Sequence, residues 1–210
     1  MIVEEAFCIG TREVSRRDWL EVMGGEAPRS DWPETWPMTD VTPADAEAFA
    51  QQLGARDPNG TYALPTEAQW ELAARAGRST DYFFGDDPAD LVRYGNCRSF
   101  LARDGYDGPA PTGTFEPNPL GLYDVHGNVA EWVRWPESEG SGVDSDGVAL
   151  ALRLGGSYDN VPRNCGFRDS RSIVKAEIAN RPDTGFRVAR LLTPPEAPPD
   201  PPVVGSKATN

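Results

Sequence analysis

Residues Asp81 to Pro119 show no apolar period of 3.6, and glycines and prolines interrupt them throughout. Connections of that length are uncommon in a compact domain unless they carry function or are pinned by ions and hydrogen bonds. A chain built around such a stretch must therefore be rich in ordered loop, with short helices and small sheets on either side. Three helix starts are legible. Ser15 stands ahead of Trp19, Leu20 and Val22 as an N-cap. Thr42-Pro43-Ala44-Asp45 places a capping residue, a first-turn proline and an acid before Ala46, Phe49, Ala50 and Leu53. Thr66-Glu67-Ala68-Gln69 has the capping-box pattern, with Trp70, Ala73 and Ala74 on one face and Gly77 as a stop. Strands are expected in Ala6 to Val14, Gly121 to Trp135, Leu150 to Gly156 and Gly185 to Leu192. The fold class expected is α+β, loop-rich and low in regular secondary structure.

With 210 residues the chain is long enough for one main domain, placed at 1–192. Residues 193–210 hold six prolines and little to bury, so an extended tail is expected, suited to docking on an assembly partner. The formal charge of -13 argues against a broad grip on nucleic acid or anionic lipid. No stretch approaches the roughly 20 apolar residues of a membrane span, and Met1-Ile2-Val3-Glu4-Glu5 lacks the basic and apolar regions of a signal peptide. The localisation expected is cytoplasmic or within a particle. Cys8, Cys97 and Cys165 are odd in number and far apart, so neither a disulfide framework nor a structural zinc site is expected. With His126 the single histidine, a multi-histidine iron centre cannot be assembled from this chain.

Four ordered motifs are specific. They are Ala63-Leu64-Pro65-Thr66-Glu67-Ala68-Gln69-Trp70-Glu71-Leu72-Ala73-Ala74-Arg75-Ala76-Gly77, then Asn118-Pro119-Leu120-Gly121-Leu122-Tyr123-Asp124-Val125-His126-Gly127-Asn128-Val129-Ala130-Glu131-Trp132, then Gly155-Gly156-Ser157-Tyr158, and the closing Gly185-Phe186-Arg187. Together with Phe7-Cys8-Ile9-Gly10 to Glu13-Val14-Ser15, they resemble the formylglycine-generating enzyme (sulfatase-modifying factor) family over about residues 5–192. The resemblance implies a variant of the C-type lectin fold, in agreement with the loop-rich reading.

Catalytic members of that family hold one copper ion between two thiolates four residues apart, just after the Gly-Gly-Ser-[Tyr/Trp] turn, because soft sulfur ligands select Cu(I). Here the second thiolate position falls on Cys165 and the first on Asn160. This departure makes a non-catalytic binding module the leading expectation, a receptor-binding or accessory component of a larger assembly such as a phage particle. Its ligand face is the polar loop with Asn160, Arg163, Asn164, Arg168 and Arg171, suited to a protein or glycan ligand. The first alternative is a copper-dependent oxidoreductase with Cys165, Ser157 and Tyr158 at its site, and the second is a structural spacer. The resemblance also implies two structural calcium sites. One would use carboxylates of Asp124 and Glu131 with carbonyls of Gly127 and Val129, and the other Asn96, the carbonyl of Cys97, Asp104 and the carbonyl of Tyr106. His126 is expected to pack at a turn. Among the tryptophans, Trp32, Trp36 and Trp135 are the candidates for an exposed ligand platform.

Overall fold

The computed structural model describes residues 6–28, 31–57, 60–98, 105–136, 139–140, 142–176 and 181–192. Expectations that fall elsewhere, among them the tail at 193–210 and Asp104, lie outside the described residues. The elements run β1 (Phe7–Ile9), α1 (Arg16–Met23), α2 (Pro43–Arg56), β2 (Thr61–Ala63), α3 (Glu67–Arg75), α4 (Leu91–Tyr94), β3 (Ala130–Val133), β4 (Leu150–Leu154), β5 (Ser172–Lys175), β6 (Thr184–Gly185) and β7 (Ala189–Leu191). Among the described residues no helix is long and apolar enough to cross a membrane.

All three expected helices begin where their caps place them. Ser15, Thr42 and Thr66 each accept a hydrogen bond from the backbone N–H three residues on, and the Asp18, Asp45 and Gln69 side chains reach back to the cap N–H. Each box satisfies two of the donors that a helix start leaves unpaired. The α3 helix ends at Arg75, two residues before the expected glycine, with the intervening cap Ala76 left-handed at φ 49°. Thr66→Ala is expected to cost about 1 kcal/mol, read as a fall of roughly 2–4 °C in melting temperature with little change in far-ultraviolet dichroism.

The strands are shorter than their apolar runs. Only 7–9 of 6–14 and 130–133 of 121–135 pair, and the last run divides into β6 and β7. The cause lies in where their backbone bonds go. Val14 donates to the Phe186 carbonyl and Tyr123 to the Thr11 carbonyl, so these apolar residues pair across loops and not in ladders. Two small sheets result, of order β1-β7-β2 and β5-β4-β3-β6, with β3 and β6 parallel and the remaining pairs antiparallel.

One core cluster joins Trp19, Phe49, Met38, Trp132 and Phe186. Trp19 stacks on Phe49 at 5.7 Å, and Phe186 meets both rings edge-on. The other joins Trp70, Ala73, Leu122, Val125, Leu152 and Phe167 beneath α3. Trp135 packs partly buried against that second cluster, while Trp32 and Trp36 form a half-buried T-shaped pair.

Candidate functional site

The Gly155-Gly156 turn needs two positive φ angles, 90° and 72°, and a Cβ on Gly156 would stand 2.5 Å from the Asn164 carbonyl oxygen. This tight reversal brings β4 into the polar loop that follows. Asn160 does not point outward there. Its Oδ1 accepts from the Ser157 N–H at 3.0 Å and from the Ser157 hydroxyl at 3.2 Å, which makes it the internal brace of the turn. Ser157 is fully buried and Tyr158 half-buried, its N–H donating to the Asn128 carbonyl.

The expected arginines divide into three arrangements. Arg163 pairs with Asp169 at 2.6 Å on the surface. Arg171 spans Glu67 at 2.7 Å and Glu139 at 2.5 Å, fastening the loop to α3. The N–H of Arg168 donates to Asp81, and the residue lines a cleft of ≈ 160 Å³ with Arg171, Ser170, Glu67, Glu71, Trp70 and Phe167. Arg168 and Arg171 are therefore brought together. Asn160, Arg163 and Asn164 do not line that cleft.

Cys165 is bonded to Cys97, which corrects the expectation that the cysteines stay unpaired. A separation of 68 residues hides this partnership from any spacing rule. Cys8 is free and exposed. Two glycines make room for the sulfurs: a Cβ on Gly127 would lie 2.5 Å from Cys97 Sγ, and one on Gly156 would lie 3.0 Å from Cys165 Sγ. Beside the bridge, His126 Nδ1 lies 2.8 Å from the Cys165 carbonyl oxygen, and its Nε2 accepts from the Phe83 N–H at 3.2 Å. The Phe83 donor fixes the tautomer with the proton on Nδ1. Burial between Phe83 and Phe167 pulls the His126 pKa down to about 4, so the ring is a neutral structural group.

The first expected calcium set does not fit the ion. Glu131 accepts from Arg187 on both oxygens at 2.6 Å and from the Trp70 indole N–H at 2.7 Å. Asp124 Oδ2 accepts from the Gly113 N–H, leaving Oδ1 buried with no hydrogen-bond partner. That one open carboxylate oxygen and the Gly127 and Val129 carbonyls make at most three, short of the six to eight that calcium takes. The compensating positive charge comes from the fully buried Arg187, whose guanidinium also donates to the Gly10 and Tyr123 carbonyls. Burial works against that cation, and the carboxylates of Glu131, Glu13 and Asp124 outweigh it, so its pKa is raised. In the second set Asn96 donates to the Gly108 carbonyl and to Asn128, and Tyr106 is exposed. Among the described residues no group of three or more His, Cys, Asp or Glu is arranged to hold a metal.

Two members of this centre carried no chemical expectation. Glu13 accepts from the Asn128 side chain at 2.6 Å and the Val129 N–H at 3.1 Å, and Arg187 closes the last motif. The usable signal was an acid and an arginine, each set in an apolar run that must be buried.

The family described as sulfatase-modifying factor enzyme 1-like domain matches residues 3–192. The formylglycine-generating enzyme of Thermomonospora curvata is 34% identical over 178 residues, covering 73% of this chain and 55% of that protein. The inactive C-alpha-formylglycine-generating enzyme 2 of Bos taurus is 31% identical over 165 residues, covering 73% and 50%. The chain thus spans about half the length of these relatives. Among solved structures, PvdO from Pseudomonas aeruginosa superposes with a TM-score of 0.73 at 27% identity, over 89% of this chain and 80% of that one. Treponema denticola variable protein 1 gives 0.70 at 24% identity, over 88% and 84%, a likeness of fold alone. The expected formylglycine-enzyme-like variant of the C-type lectin fold agrees with both.

Proposed function

The chain belongs to the sulfatase-modifying factor enzyme 1-like family, and from that premise we propose that it is a non-catalytic binding module working as an accessory component of a larger assembly. The observation that carries this reading is Asn160. It stands at the first expected thiolate position with its amide oxygen engaged by Ser157, so it presents no ligand to a soft metal. A relative described as inactive supports the view that this scaffold persists without the oxidase chemistry. The binding face is the cleft of Arg168, Ser170 and Arg171, in which Arg171 is held by Glu67 and Glu139 and Arg168 is the cation offered to a carboxylate on a protein or an acidic glycan.

The test is direct binding of the full chain to a panel of acidic peptides and uronic-acid or sialylated glycans. Retention of one carboxylate class is expected, weakened at least about tenfold by Arg168→Ala. The control Arg17→Ala, which alters an exposed pair with Glu34, should leave it unchanged. Failure to retain any member of the panel would overturn the reading.

One observation favours the copper-dependent alternative. Cys97 supplies, from a distant part of the chain, the second sulfur that Asn160 does not. After reduction Cys97 and Cys165 face each other across a buried gap, a donor pair suited to linear coordination of Cu(I). Copper held there would contribute one-electron and oxygen chemistry. The chain's own contribution is to keep the sulfurs dry beneath Tyr82 and Phe84. Cu(I) titration of the reduced protein against a competing chelator separates the readings. The binding module predicts no competition. Tight 1:1 uptake, lost in both Cys97→Ser and Cys165→Ser, would establish the oxidoreductase.

A further inference from the structure

A cleft of ≈ 470 Å³ lies away from the polar loop and takes no part in the reading above. Its walls are the turn Phe83-Phe84-Gly85, Tyr94 of α4, and the segment Glu116 to Pro119. Phe84 and Tyr94 stack at 4.6 Å with planes 16° apart, and Phe83 meets both edge-on at 5.4 and 5.2 Å. The Arg93 guanidinium sits 5.1 Å from the Tyr94 ring centroid and is held by both oxygens of Glu116. This neutralises Glu116 and braces the wall. Arg78, exposed on the rim, enters no ion pair among the described residues, so the cleft is locally positive on a chain of net charge -13.

A fixed aromatic platform flanked by prolines and a rim cation has the chemistry that recognises an extended, proline-rich, acidic peptide. Such a peptide is already close to its bound conformation and loses little entropy on docking. The sequence holds one: Pro194-Pro195-Glu196-Ala197-Pro198-Pro199-Asp200-Pro201-Pro202, in which two acids and no base accompany the six prolines.

The topology says which copy supplies it. Arg187, ahead of β7, bonds the Tyr123 and Gly10 carbonyls, and the adjoining Leu122 carbonyl accepts from Asn118 in the cleft wall. From there β7 runs antiparallel to β1, away from that contact, until the Leu192 N–H reaches the Ala6 carbonyl. Five residues of strand carry the chain about 17 Å further from the Tyr123 contact. We propose that the aromatic cleft of Phe84, Tyr94, Pro117 and Pro119 receives the proline-rich segment 194–202 of a second copy of this chain.

The test is the mass of the full chain by light scattering across the micromolar range. It should rise with concentration above the 22.9 kDa of one copy. Arg78→Glu, a rim change that leaves the packed rings untouched, and Pro198→Ser with Pro199→Ser should each abolish the rise. Mixing the two variants should restore it, stopping at a pair, because one retains its tail and the other its cleft. A single-copy mass throughout would overturn the proposal, whether the cleft then binds a synthetic 194–202 peptide as a foreign partner's site or holds its own tail. A rise that neither variant alters would overturn it equally. None of these readouts depends on Arg168, so failure here and failure of the polar-loop reading are distinguishable.

Discussion

Replacement of Arg187 by Met is expected to lower stability by about 3–5 kcal/mol, the usual consequence of removing one partner from a buried ion pair. The side chain is fully buried and makes four hydrogen bonds at once, two to the Glu131 carboxylate by Nε and Nη2 and one each to the Gly10 and Tyr123 carbonyls, while the Trp70 indole N–H donates to the same carboxylate. Without it, Glu131, Asp124 and Glu13 share a dry interior with no cation to offset their charge. At this chain length the loss corresponds to a fall of roughly 10 °C or more in melting temperature. A drop of only one or two degrees would mean that the carboxylates find another neutralising group, and bound calcium would then return as the first candidate. Adding Glu131→Leu to the variant should recover part of the loss, since a missing pair is tolerated better than a widowed charge.

Asp124→Asn is expected to act in the opposite sense and to depend on pH. Burial raises the Asp124 carboxyl from its ordinary 3.8 to about 6, against the opposing pull of the Gly113 N–H and Arg187. Its folded-state pKa is above the unfolded one, so its contribution to stability is fully present below about pH 4 and is lost as pH rises through about 6. Burial pushes Glu13 the same way, with Asp124 and Glu131 adding to the effect. The Asp124 share amounts to at most about 3 kcal/mol. Denaturant unfolding at a series of pH values should therefore show wild-type stability declining between about pH 4 and 7 relative to the variant, whose profile is flatter. Asparagine suits the left-handed backbone at this position, φ 59°, so the comparison is not confounded by strain. Superimposable profiles would show that Asp124 does not ionise within that cluster.

Local signals in the sequence were accurate where the physics is local. Ser15, Thr42 and Thr66 cap their helices because a cap and its third residue lie within one turn. The motifs carried the fold because each marks a backbone requirement, such as the paired positive φ angles at Gly155 and Gly156. What stayed hidden is long-range. Cys97 meets Cys165 across 68 residues, and Glu13 meets Asn128 across 115. The family resemblance implies a metal beside Glu131, whereas the guanidinium that its carboxylate meets arrives from 56 residues away. Asn160 was placed at the loop but not turned inward, since only the folded turn shows Ser157 claiming its amide oxygen. Strand lengths were overestimated because apolar runs report burial, and in this fold much of what is buried is loop.

The three-stranded sheet has a bearing on how the molecule is made. Its central strand, β7, is the last element of the domain, and both of its neighbours, β1 and β2, precede residue 64. During synthesis these two edges leave the ribosome with no partner, and about 130 residues must follow β2 before Leu191 is available. At typical elongation rates of about 5–20 residues per second that interval lasts roughly 6–25 s. For that time the nascent protein carries unpaired backbone and an uncovered Phe7 and Ile9. The period of greatest exposure to chaperones, proteases and neighbouring nascent chains thus ends with the threading of one three-residue strand.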